Sequence, residues 1–159
     1  MSKASRVALL IMVLGGCTPS EAMHVRISAG DATEEVIREN LAVASDVLGV
    51  EIVETDREWG SVEIYYREPT ANWAGVEHPP NPWDAKDWCK RRVGVGFDPV
   101  VLAHELGHAF ELEHTDAGLT ANVMVPRYED QRVEELWLSD EQWEDLVVGI
   151  ARFNLRCAR

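Results

Sequence analysis

Apolar residues recur along this chain with two different periods, and the changes of period mark its elements. Over residues 24–28 apolar and polar positions alternate, the pattern of a strand with one buried face. Val36, Ile37, Leu41, Ala44, Val47 and Leu48 then recur at helical spacing. They predict a helix with Asp31 or Thr33 as N-cap and Gly49 as its stop. Alternation returns over 50–54 and 62–66, predicting two more strands, and a further strand is expected over 91–97. The stretch 67–90 carries Pro69, Pro79, Pro80 and Pro82, and its run His78-Pro-Pro-Asn-Pro-Trp83 cannot form regular structure. Asp98-Pro99 opens a second helix, with Asp at the cap and Pro in the first turn. Ser139-Asp-Glu-Gln142 is a capping box. It starts a last helix with Trp143, Leu146, Val147, Ile150 and Phe153 on one face. This order predicts a small α+β domain, with one mixed sheet packed on the N-terminal, middle and C-terminal helices. The pattern contains no internal repeat and no sign of a second domain.

The first residues stand apart from that domain. Lys3 and Arg6 precede an apolar run over 7–14, too short to span a bilayer as a mature helix, and Leu14-Gly15-Gly16-Cys17 follows. Charge, short apolar segment and small residues describe a secretory signal. The Leu-Gly-Gly-Cys ending resembles the bacterial lipobox, in which the Cys becomes the lipidated first residue of the mature chain. The expected organisation is a lipoprotein signal peptide over 1–16, a tether over 17–22 and the folded domain over 23–159. Such a protein sits at the bacterial cell envelope, facing the periplasm or exterior, and meets the membrane through a lipid on Cys17. A plain secretory signal with an incidental Cys17 is the alternative. No propeptide is expected between Cys17 and the first strand.

Export changes the meaning of the cysteines. With Cys17 lipidated, Cys89 and Cys157 remain, and an oxidising compartment suggests that they form a disulfide. It would close a long loop and pin the C-terminal helix to the domain. Free buried thiols, or Cys89 as a metal ligand, are the alternatives. A length of 159 residues suits one domain with a single real core. The net charge is −13, and removing residues 1–16 with Lys3 and Arg6 leaves 13 basic against 28 acidic residues, or −15. Such a surface argues against nucleic acid and anionic headgroups as partners.

The candidate chemistry lies in His104-Glu-Leu-Gly-His108-Ala-Phe-Glu-Leu-Glu-His114. Two His at i and i+4 share one helix face, about 6 Å apart along the axis, and can grip one Zn²⁺ from the same side. Glu105, one step round the helix, can reach a water held by that metal. A third nitrogen from His114 leaves a coordination position open, the mark of catalytic rather than structural zinc. If the helix continued, His114 would point about 240° away from His108 and lie about 9 Å further on. The helix must therefore end and the chain must turn between the two.

With that turn, the pattern resembles the metzincin metallopeptidases, HExxHxxGxxH, in which Gly makes the turn. Ala121-Asn-Val-Met124-Val-Pro126-Arg-Tyr128 looks like the Met-turn of that family, with a Met-x-Pro-x-Tyr spacing similar to the matrixin branch. The resemblance implies zinc ligation by His104, His108 and His114, general-base work by Glu105 and a Met-turn at Met124. It also implies that Pro126 and Tyr128 wall the pocket for the side chain after the cleaved bond. The activity it implies is a zinc endopeptidase with one catalytic Zn²⁺, acting as a monomer on a peptide or protein substrate. An extended substrate would pair with the strand over 91–97.

Glu111 departs from the family, which has Gly there. Three outcomes are open: Glu111 takes the left-handed conformation, the turn shifts to another residue, or Asp116 replaces His114 as third ligand. Trp73, Trp83 and Trp88 could line a substrate cleft or pack under the long loop. His78 reads as a surface residue. A rival to the enzyme reading is a zinc-containing envelope lipoprotein that only binds.

Overall fold

The computed structural model describes residues 22–66, 75–77, 88–96, 98–115, 121–125 and 136–157. Among the described residues there are five strands, β1 (Met23–Ser28), β2 (Ile52–Glu54), β3 (Ser61–Tyr66), β4 (Gly75–Glu77) and β5 (Lys90–Val95). Three helices accompany them there: α1 (Asp31–Leu48), α2 (Pro99–Ala109) and α3 (Asp140–Cys157). The strands form one sheet in the order β2-β1-β3-β5-β4. The first four are mutually parallel and β4 runs antiparallel to β5. The α+β class and the mixed sheet follow the sequence pattern. Two strands are shorter than or shifted from expectation, with Val50 and Gly96 outside the ladders.

Register explains the sheet's two faces. Val25 lies beside Val62, which lies beside Arg91, and Ile27 beside Ile64, which lies beside Val93. Met23, Val25, Val62, Ile64, Val93 and Val95 are all buried. The opposite face is polar. There Glu63 bridges Arg26 at 3.2 Å and Arg92 at 3.1 Å, and the Arg92 guanidinium lies 4.5 Å from the Tyr65 ring centroid. Tyr65 has room for this because its neighbour across the ladder is Gly94; a Cβ there would stand 2.8 Å from the Tyr65 hydroxyl.

Helix α1 lays Ile37, Leu41, Ala44 and Leu48 into the core, as their spacing requires. It packs along α2, so the two helices share the apolar face of the sheet with Leu102, Ala103 and Leu106. Its start differs from expectation. Gly30, not Asp31 or Thr33, is the N-cap, and no side chain caps it. The amides of Thr33 and Glu34 donate to the Gly30 carbonyl instead, which puts Asp31 and Thr33 inside the first turn. Its end is as expected: Gly49 is left-handed at φ 65° and its amide donates to Ser45 O at 2.9 Å.

Helix α3 meets the sheet at the starting ends of three parallel strands. Asn154 donates to Ala22 O just before β1, Cys157 sits against Gly60 just before β3, and the Cys89–Cys157 disulfide joins it to the residue preceding β5. The two sulfurs lie at bonding distance, the geometry the expected pairing needs, which argues against Cys89 as a metal ligand. Ser139 and Gln142 form the capping box: Gln142 N donates to Ser139 Oγ at 3.2 Å and Ser139 N to Gln142 Oε1 at 3.1 Å. Among the described residues, no helix is long and apolar enough to cross a membrane. Cys17, Trp73, His78, Trp83, Asp116, Pro126 and Tyr128 lie outside the described residues. Trp88 packs on Phe153 with ring centroids 5.5 Å apart, which favours the packing reading for that tryptophan.

Candidate metal centre

The site is built on α2. Asp98 caps it by accepting from Val100 N at 2.8 Å and Val101 N at 3.4 Å, with Pro99 in the first turn. Leu102, Ala103 and Leu106 seat one side of the helix in the core. His104 and Glu105 are carried inward with it, 3% and 7% exposed, while His108 is half-buried.

One residue past His108 the helix stops, with Phe110 as its C-cap. Glu111 has φ 73° and is the one described non-glycine residue with positive φ. Leu112 N donates to Gly107 O at 3.1 Å and Glu111 N to His108 O at 3.0 Å, the paired bonds of a Schellman terminator. A side chain in the left-handed conformation costs about 1–2 kcal/mol, which explains why glycine is the usual choice there. Of the three outcomes open for Glu111, the first is the one observed. The terminator reverses the chain and returns His114 over the helix.

The three imidazoles converge. His114 Nε2 lies 3.2 Å from His104 Nε2 and 3.0 Å from His108 Nε2, and the three ligand atoms sit within 4.8 Å of one another. The other ring nitrogens settle the tautomers. His104 Nδ1 donates to Val123 O at 2.8 Å and His108 Nδ1 to Leu112 O at 2.7 Å. A carbonyl can only accept, so both Nδ1 atoms carry protons, and each ring when neutral presents its Nε2 lone pair. Burial holds the His104 pKa down to about 4, against the opposing pull of the Val123 carbonyl, so that ring is neutral at neutral pH. A proton on His114 Nε2 could satisfy one of the two facing nitrogens and not both. A cation satisfies all three. Around a tetrahedral Zn²⁺ at about 2.0–2.1 Å, ligand nitrogens stand about 3.3 Å apart, close to the spacing found here. The donor set fits such an ion.

No protein-family model matches the chain, and no curated protein is detectably similar to it.

The structure brings together the predicted His104, His108 and His114 and buries Met124 close by; sequence reasoning missed what holds them. Met124 is fully buried beneath α2, where a Cβ on Gly107 would stand 2.6 Å from its sulfur. Its turn is shaped by Asn122, which is also fully buried. Asn122 Oδ1 accepts from Met124 N at 2.8 Å, and its Nδ2 donates to Gln142 Oε1 at 2.6 Å. Gln142 thus caps α3 and braces the turn with one oxygen. The turn in turn presents Val123 O to His104, and Met124 O accepts from Thr115 N at 3.1 Å beside His114. The available signal was Asn followed two residues later by a turn amide, an Asx-turn pattern.

The expected substrate strand needs correction. β5 is flanked by β3 on one side and, over Arg92 to Gly94, by β4 on the other, so this stretch offers no free edge. Among the described residues the sheet edges are β2 and β4. The Pro-rich composition of 67–90 hid β4, a three-residue strand too short to show a period.

Glu105 is buried, and burial pushes its carboxyl pKa up to about 7. A carboxyl with that value can take and give a proton near neutral pH.

Proposed function

We propose that this chain is a zinc-dependent metalloendopeptidase of matrixin-like metzincin type, held at the bacterial cell envelope by a lipid on Cys17. The observation that carries the reading is the return of His114 onto His104 and His108 through the left-handed turn at Glu111, with Glu105 between the first two ligands. His104, His108 and His114 would hold one Zn²⁺, which when bound lowers the pKa of water and polarises a carbonyl oxygen. The carbonyls of Val123 and Leu112 hold two of the imidazoles in the required tautomer and orientation. Glu105 takes a proton from the attacking water, whose oxygen adds to the peptide carbonyl carbon. The same carboxyl gives that proton to the leaving nitrogen as the C–N bond breaks. The outer side of β4, which lies near α2, is the edge on which an extended substrate would pair. The resemblance assigns Pro126 and Tyr128 to the pocket beyond it.

The test combines elemental analysis with peptide-library cleavage by the wild type, Glu105→Ala and His114→Ala. One zinc per chain and cleavage by the wild type are expected. Glu105→Ala should keep its zinc and cleave about 10²–10⁴-fold more slowly. His114→Ala should fail to retain zinc through dialysis. Stoichiometric zinc without cleavage above the Glu105→Ala background would replace the peptidase with the rival, a zinc lipoprotein that only binds. Labelled lipid should attach to the wild type and not to Cys17→Ala.

A further inference from the structure

Among the described residues, Arg91 is the one buried charged side chain in the sheet, 6% exposed on the apolar face of β5 beside Val62. Three rings enclose its guanidinium carbon, with centroids at 4.7 Å for Trp88, 5.1 Å for Phe153 and 5.4 Å for Phe110. These rings come from the segment leading into β5, from α3 and from the end of α2, so the arginine is held from three directions. Its Nη2 then donates to Glu111 Oε1 at 3.4 Å. Glu111 is 67% exposed at its side chain, yet it carries the backbone that only glycine adopts freely. Its partner is fixed and poorly hydrated, so the attraction is less screened than between two surface groups.

We propose that Arg91 is a positioning residue for the metal centre: its ion pair with Glu111 holds the left-handed turn that returns His114 to His104 and His108. The inference rests on the metal-centre reading above. Where a glycine permits the turn by lacking a Cβ, this chain uses a residue that resists the turn and ties its carboxylate to the core. The tie lies one residue past the helix cap Phe110 and three before His114, so it acts on the pivot of the ligand rather than on the ligand.

Glu111→Ala and Glu111→Gly separate the tie from the backbone. Alanine keeps a Cβ in the left-handed conformation and loses the carboxylate; glycine removes the tie and the need for it together. The full-length protein is titrated with Zn²⁺ against a chromophoric chelator and with Co²⁺ by visible absorption. Glu111→Ala should bind Zn²⁺ about 10-fold more weakly, the loss usual when support of a metal ligand is removed. Its saturated Co²⁺ spectrum should show altered ligand-field bands, while its denaturation midpoint without metal stays near that of the wild type. Glu111→Gly should stay within about 3-fold of wild-type affinity. Arg91→Met should weaken Zn²⁺ binding in the wild-type background and have no further effect in the Glu111→Gly background. If Arg91→Met does not fold, the two Glu111 variants decide alone. A Glu111→Ala protein with wild-type affinity and an unchanged cobalt spectrum overturns the tie and leaves the metal centre standing. A wild type that takes up neither metal overturns both.

Discussion

The sulfur of Met124 occupies the space that a side chain on Gly107 would need, with a Cβ built at Gly107 falling 2.6 Å from it. Gly107 lies between the two helical histidines, and Met124 is fully buried beneath them. In an exposed helix Gly→Ala stabilises by about 1 kcal/mol. Here Gly107→Ala should destabilise by about 1–3 kcal/mol, because the thioether has no solvent-side space into which to swing. Chemical denaturation with and without Zn²⁺ measures it. A more stable Gly107→Ala protein would show that the contact does not hold.

Asn122 supports the same turn through polar bonds. Asn122→Ala removes the acceptor for Met124 N and the donor to Gln142, leaving a buried amide unpaired. The expected cost is about 1–3 kcal/mol. Because Val123 O orients His104, Zn²⁺ should also dissociate faster from this variant, which a stopped-flow chelator assay reads. An unchanged off-rate would confine Asn122 to a role in stability.

The Cys89–Cys157 bond closes a loop with a sequence separation of 68. Loop-closure entropy alone assigns it about 4 kcal/mol of stability. Cys89→Ala with Cys157→Ala should lower the thermal midpoint by several degrees, and reduction of the wild type should have the same effect. Free-thiol counting before and after reduction confirms the state of the pair. Equal midpoints for oxidised and reduced protein would contradict the prediction.

His24 gives the fold a pH dependence of its own. Its Nδ1 is buried without a hydrogen-bond partner, and burial, with the nearby charge of Arg57, lowers its pKa against the weaker opposing pull of Glu51. The folded protein therefore binds this proton less readily than the unfolded chain. Its contribution to stability is complete above the unfolded value of about 6.5 and is lost as pH falls below it. The difference in unfolding free energy between the wild type and His24→Gln should shift against the wild type from about pH 7.5 to about pH 5.5. A difference that does not change with pH would remove His24 as the cause.

Much of the fold was legible because its signals are local. Asp98-Pro99 and Ser139 to Gln142 specify helix starts through bonds spanning three residues or fewer, and both form as read. The stripe from Ile37 to Leu48 and the stop at Gly49 need only the helical period. The first helix start was misread for the same reason. Asp31 and Thr33 have capping chemistry, but the cap depends on where the backbone leaves the extended conformation, and Gly30 is the residue at that boundary.

The sequence by itself determined the two histidines on one helix face, the need for a chain reversal before His114 and the α+β order of elements, and it suggested the cysteine pair. These follow from spacing, capping chemistry and the parity of cysteines. Only the tertiary structure decided that among the described strands β4 rather than β5 is an edge, that α3 lies across the strand starts, that Asn122 braces the Met124 turn and that Arg91 reaches Glu111 from within the core. Each of these depends on residues far apart in the chain, and strand order and the neighbours of a buried side chain are set by the packing of the whole domain rather than by any local period.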